Sequence, residues 1–276
     1  MIIRLGYEIV FESPVPVPMI LMLYTHPSLA GTLKQPEQIK IEPDVSIEEF
    51  TDNFGNRCGR IVAPAGRLRL WNDNMVEHSG QKDPVNWNAA QHSVADLPAE
   101  TLQYLLGSRY CEVDRLSDIA WNLFGQTTAG WGRVQAVCDW IHSNIRYGYE
   151  FARSTKTAYE TYMEKAGVCR DFTHIAIAFC RCLNIPARYA TGYLGDIGVA
   201  PLPTAMDFHA WFEVFLDGQW YTFDARHNVP RVGRVLMARG RDAVDVALTT
   251  SFGPNKLVKF NVWADESQKE LSSVAS

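Results

Sequence analysis

From Ile2 to about Val76 the apolar residues come in short runs, such as Leu5 to Phe11 and Met19 to Tyr24. These runs are broken by Pro14, Pro16, Pro18, Gly31, Pro36 and Pro43. Short apolar runs closed by turn formers predict strands rather than helices. A Gly55-Asn56 turn signal follows Phe54, and Arg67-Leu68-Arg69-Leu70 alternates as a strand does. The region therefore reads as an antiparallel β domain. Residues 77 to 100 are rich in Gly, Asn, Gln, Asp, Pro and Ser, which marks a linker and sets a boundary near residue 95. Beyond it, Val134, Cys138, Ile141 and Ile145 fall on one helical face. Helical periodicity holds to about residue 183 and strands return from Arg188, an α+β pattern. After Trp263 the chain turns polar and is expected to fray. The expected division is a β domain and linker over 1–95, a second unit over 96–265 and a polar tail over 266–276.

Hydrophobic residues make up 47% of the 276 and charged residues 21%, too apolar and too weakly charged for a disordered chain. Lys and Arg number 26 against 31 Asp and Glu, a net charge of −5, and no basic block is present. That balance argues against the phosphate contacts on which nucleic-acid binding depends. The longest apolar run, Val17 to Tyr24, is far shorter than the roughly 20 residues of a membrane helix. The first residues lack the basic, apolar and small-residue pattern of a signal peptide. The expectation is a cytoplasmic protein with neither membrane nor nucleic-acid partner. Its cysteines, at 58, 111, 138, 169, 180 and 182, should then be reduced, and each needs a packing, metal or catalytic reason.

Cys169 has the most suggestive setting. Phe172, Ile175, Phe179 and Leu183 predict a buried helix that starts at Cys169 and ends at Asn184, with Pro186 preventing continuation. A helix N-terminus favours the thiolate, the nucleophilic form of the group. Read alone, a cysteine after Gly167 and Val168 is more often a small buried filler. The segment His209 to Leu216, then Asp217-Gly218, then Gln219 to Asp224 changes that balance, because Asp-Gly between apolar runs is a strong hairpin signal. With a two-residue loop, Leu216 faces Gln219 and Trp211 faces Asp224, so His209 and Asp224 become diagonal neighbours on one face. A three-residue loop would separate them. A carboxylate on one imidazole nitrogen leaves the other free to take a thiol proton. Cys169, His209 and Asp224 are thus the candidate nucleophile, base and orienting group, with His227 as an alternative imidazole.

The strings GVCRDFTHIAIAFCRCLNIPARYATGYL and HAWFEVFLDGQWYTFDARHN resemble the core of bacterial transglutaminase-like proteins, a family often assigned as cysteine proteases. The resemblance covers roughly residues 100 to 265, and the early region through PAGRLRL is similar to the N-terminal domain that accompanies this core. It implies a papain-like α+β core preceded by an antiparallel β domain, and a Cys-His-Asp triad on Cys169, His209 and Asp224. The implied chemistry is acyl transfer on peptide or isopeptide-type amides through a thioester, with no cofactor and hydrolysis favoured over transamidation. Asp224 is followed by Ala225-Arg226-His227-Asn228 where many relatives carry a Pro-Thr-Asn type continuation, which suggests a distinct subgroup. No EF-hand pattern accompanies the core, so calcium activation has no support.

Two other classes compete. A metal site could draw on His174, Cys180 and Cys182 close to Cys169, with His209 available from the hairpin, but residues two apart on a helix point about 200° apart, so the two thiols cannot readily grip one ion, and no C-x-x-C pair exists. Alternatively the β domain could serve a binding module that carries an inactive triad. Tyr147 and Tyr149 read as core or cleft packing, and the 240–246 stretch as a structural element or a cleft wall. The Cys169 backbone amide is one candidate donor to an oxyanion.

Overall fold

The computed structural model describes residues 1–201 and 205–267. Apart from one short 3-10 helix (Pro27–Thr32), the first region is built of strands, as its short apolar runs predict. Strands β1 (Ile2–Ser13), β2 (Val17–Leu21), β3 (Lys40–Glu42), β4 (Glu48–Thr51), β5 (Arg57–Ala63) and β6 (Gly66–Glu77) are separated by turns. Between β4 and β5, Asp52 Oδ1 accepts the N–H groups of Phe54 and Asn56, and Gly55 takes a φ of 82°, so the turn signal is real. On β6, Leu68 and Leu70 are buried.

The second region supplies the helices α1 (Ala99–Leu102), α2 (Val113–Phe124), α3 (Trp131–Asn144), α4 (Ala158–Glu164) and α5 (Cys169–Cys182), with the short parallel pair β7 (Arg146–Tyr147) and β8 (Ala166–Gly167). Val134, Cys138 and Ile141 are buried on α3. Strands β9 (Ala187–Leu194), β10 (His209–Leu216), β11 (Gln219–Phe223) and β12 (Arg234–Gly240) form an antiparallel sheet in the order β11-β10-β9-β12. Helix α5 packs against α2, α3 and α4 and against β9 and β10, and every residue from Asp171 to Cys182 is buried. It is a central helix rather than one apolar on a single face. Asn184 closes it with a φ of 62°.

The last strands, β13 (Thr249–Ser251) and β14 (Lys256–Glu266), pair with β2 and β1. Two strands from the expected second unit thus complete the two sheets of the first region, ordered β14-β1-β6-β3 and β13-β2-β5-β4. The expected fraying after Trp263 does not hold for the next three residues. Ala264, Asp265 and Glu266 continue the β1 ladder opposite Leu5, Arg4 and Ile3, and Ala264 is buried. Local polarity could not reveal a partner strand some 260 residues away. The expected 266–276 tail, apart from its first two residues, lies outside the described residues.

Two apolar cores flank the β9–β12 sheet. One gathers α2, α3, α5 and the α5-facing residues of β10, and the other joins β1, β2, β5 and β6 to Tyr193, Val235 and Met237. Phe208, just before the candidate base, packs against Tyr7 of β1 and Tyr193 of β9, with ring centroids 6.2 and 5.0 Å apart. The linker is docked rather than loose. Ala90 O accepts the Asp217 N–H, and His92 Nε2 accepts that of Gly218. Among the described residues no helix is long and apolar enough to cross a membrane.

Candidate active site

The chain reaches Cys169 through a tightly braced turn. Asp171 Oδ2 accepts the Val168 N–H at 2.9 Å, and a Cβ at position 167 would lie 2.6 Å from Asp171 Cβ, so only glycine fits before the turn. Upstream, Lys156 is 1% exposed and donates its Nζ to the Ala166 carbonyl at 3.0 Å while pairing with Glu164. The cysteine thus starts a helix held from both sides. It is partly exposed, whereas the other five cysteines are buried.

The hairpin adopts the two-residue loop. Asp217 and Gly218 take φ values of 48° and 77°, as a type I′ turn requires, and Leu216 pairs with Gln219 through to Phe212 with Phe223. One pair further out, His209 Nε2 lies 2.8 Å from Asp224 Oδ2. The diagonal pairing expected from the turn is therefore present, and both groups are buried.

Asp224 is a hub. Its Oδ1 accepts the N–H groups of Arg226 and His227, both at 3.1 Å. Its Oδ2 is met by His209 Nε2, by His227 Nδ1 at 3.0 Å and by Arg234 Nη2 at 2.9 Å. Arg234 also donates Nε to Asp83 of the linker at 2.9 Å. Burial alone would push the Asp224 carboxyl up, but His209, Arg234 and these donors outweigh it and hold the group well below the usual carboxylate range. Burial depresses His209 to about 4, with Arg234 and His227 acting the same way and Asp224 opposing. The resting imidazole is neutral at pH 7.

Burial raises the Cys169 thiol to about 11, while the Ala210 N–H and Arg226 pull it down. The helix N-terminus does not prevail here, because burial is the larger effect and the Asp207 and Asp224 carboxylates also push the thiol up. Cys169 is thus held as a thiol and His209 as a neutral imidazole. The Ala210 N–H contact also sets the sulfur beside the start of β10, one residue from His209.

Cys169 sits where two cavities meet. One, of about 380 Å³, is polar and is lined by Cys169, Asp207, His209, Arg226, His227 and Arg231, with Asp196, Asp265 and Glu266 also on its walls. The other, of about 620 Å³, is walled by Tyr110, Tyr189, Ala243, Val244 and Leu248. Tyr149 is exposed and lines both, whereas Tyr147 packs on Phe172 and under the Arg226 guanidinium. The 240–246 stretch is both structural and a cleft wall. Asp242 is fully buried and accepts the Tyr110 N–H, while Ala243, Val244 and Val246 face the larger cavity.

The cysteines proposed for a metal stand apart: Cys180 lies in the core and Cys182 donates to the Val113 carbonyl. His174 is engaged by the Ala243 N–H. Among the described residues, His209, Asp224 and His227 are the one group that brings three ligand-type atoms within 4.8 Å. A cation there would have to displace the Arg234 guanidinium and both imidazole hydrogen bonds from Asp224. Sequence reasoning missed Arg234 and Asp83. Neither carries a periodic or turn signal.

Against this geometry, residues 118–225 match the family described as the transglutaminase-like superfamily. A solved structure from Cytophaga hutchinsonii, described as a "putative cysteine protease", is 31% identical over 99% of this chain and 92% of that one, with a TM-score of 0.83. The chain belongs to the transglutaminase-like superfamily and has its papain-like α+β core. An uncharacterized protein of Mycobacterium leprae is 28% identical over 117 residues, or 41% of this chain. The match covers 42% of that protein, less than half its length.

Proposed function

We propose that this protein is a thiol-dependent amide hydrolase, a cysteine peptidase or amidase, in which Cys169 is the nucleophile, His209 the base and Asp224 the orienting carboxylate. The carrying observation is the 2.8 Å bond from His209 Nε2 to Asp224, which leaves Nδ1 as the free imidazole nitrogen in the cavity that Cys169 lines. The thiol gives its proton to His209 as sulfur attacks the amide carbonyl. The amine then departs with that proton, and a thioester remains. Water resolves it. The description of the Cytophaga hutchinsonii relative supports this reading.

Transamidation is the second reading, favoured by Asp207, Asp265 and Glu266, whose acidic side chains outnumber Arg226 and Arg231 on the cavity walls and could meet a cationic amine acceptor. A glutamine peptide offered together with a fluorescent amine separates the two. Ammonia release or chain cleavage without amine incorporation is expected, lost in Cys169→Ala. Efficient amine incorporation would replace hydrolysis by transfer, and no Cys169-dependent turnover on a broad peptide panel would leave the binding-module reading.

A further inference from the structure

The carboxylate of Asp224 serves two imidazoles, not one. Held ionised, it can only accept hydrogen bonds, so His209 donates from Nε2 and His227 donates from Nδ1 to the same oxygen. Each ring, when neutral, then keeps one unprotonated nitrogen: Nδ1 on His209 and Nε2 on His227. The ring centroids are 4.8 Å apart, and both residues line the polar cavity with Cys169. Their access to solvent differs. The His209 side chain is 5% exposed and adjoins Ala210, whose N–H contacts the Cys169 sulfur, whereas that of His227 is 20% exposed on the loop beyond the hairpin. Neither Nε2 of His227 nor Nδ1 of His209 has a hydrogen-bond partner among the described residues.

We propose that His227 is a second catalytic base at this site, which activates the water that resolves the thioester while His209 serves the thiol. This rests on the reading of Cys169 as the acylated nucleophile. In the step assigned to His227, the water oxygen bonds to the thioester carbonyl carbon as Nε2 takes one water proton. The tetrahedral carbon collapses, the C–S bond breaks with its electron pair on sulfur, and the proton held by His227 returns to the sulfur through water. Carboxylic acid, thiol and two neutral imidazoles result. The division follows from placement: His209 precedes Ala210, whose N–H contacts the sulfur, and the more exposed ring of His227 is open to incoming water.

The test uses the full chain and p-nitrophenyl acetate, an activated acyl donor. The nitrophenolate burst reports acylation, and mass spectrometry follows the acetyl group on Cys169. The variant is His227→Asn, whose amide can still donate to Asp224 but cannot act as a base; His227→Gln is the second variant. Burst amplitude counts only folded, competent sites, so a folding defect does not alter the normalised rate. The expected result is a burst rate within about twofold of wild type, with acetyl loss to water slowed by about 100-fold, the usual scale of one general base. Hydroxylamine, a nucleophile that needs no base, should clear the acetyl group from variant and wild type at similar rates. A thioester lifetime unchanged in His227→Asn overturns the proposal, as does loss of the burst in that variant while His209→Gln retains it. If no acetyl forms on Cys169 in the wild type, the thioester reading itself fails and takes the second base with it.

Discussion

Arg234 bridges Asp224 and Asp83, donating Nη2 to the first at 2.9 Å and Nε to the second at 2.9 Å. A linker residue is thereby tied to the carboxylate that orients the candidate base. All three groups are largely buried, so each charge depends on its partners.

Arg234→Lys should separate this bridge. A lysine has no planar fork to span two carboxylates, so one is left poorly paired. Stability should fall by about 1–3 kcal/mol, the scale of a charged hydrogen bond. Urea denaturation would show it, with Asp83→Asn producing a loss that is not additive with Arg234→Lys.

Asp224→Asn should disable acylation more than folding contacts alone would suggest. The amide accepts less strongly from two imidazoles and can present the wrong group to His209. Loss of the orienting carboxylate in comparable triads costs about 10⁴ in rate. The p-nitrophenyl acetate burst rate should therefore fall by about 10³–10⁴-fold, with Cys169 still alkylated in the denatured protein.

Thiol reactivity should rise with pH. With burial holding Cys169 near 11, iodoacetamide alkylation at pH 7 should be slower than for a free thiol and climb about tenfold per pH unit toward pH 10. Cys58, held up at about 11 by burial, and Cys111, at about 12, should react only after unfolding. Site-resolved mass spectrometry would read this, and rapid labelling of Cys169 at pH 6 would show an ion pair instead.

Stability should decline on acidification below neutrality. His209 is depressed to about 4 in the folded protein, below its ordinary 6.5, so between these values the unfolded chain holds a proton that the folded chain does not. Unfolding then takes up protons, and stability falls as pH drops through that window. Buried His174 is lowered by the same cause and adds to the slope. Asp224 acts further down: its stabilisation is complete above the ordinary carboxyl value near ~4 and is lost as pH falls through its lower folded value. Denaturant titrations from pH 4.5 to 7.5 should show the decline, shallower in His209→Gln.

How much of the site was legible depended on range. Cys169 was marked by a helical stripe, and His209 and Asp224 by the parity of a two-residue loop. Arg234 lies ten residues past Asp224 in chain order and meets it only because β12 pairs with β9 on the far edge of the same sheet. Asp83 looked like solvated linker because nothing local records a bond to a residue 151 positions away.

The sequence by itself determined which regions are rich in strands and which in helices, where α5 begins and the left-handed residue that closes it, and which face of the β10–β11 hairpin carries His209 and Asp224. These follow from periodicities of a few residues and from the backbone preferences of Asp217, Gly218 and Asn184. Tertiary structure alone decided that β13 and β14 complete the first region's sheets, that two imidazoles and a guanidinium share one oxygen of Asp224, and that the thiol rests protonated. Pairing between distant strands and the desolvation of a buried charge depend on everything packed around a group, and no local pattern encodes them.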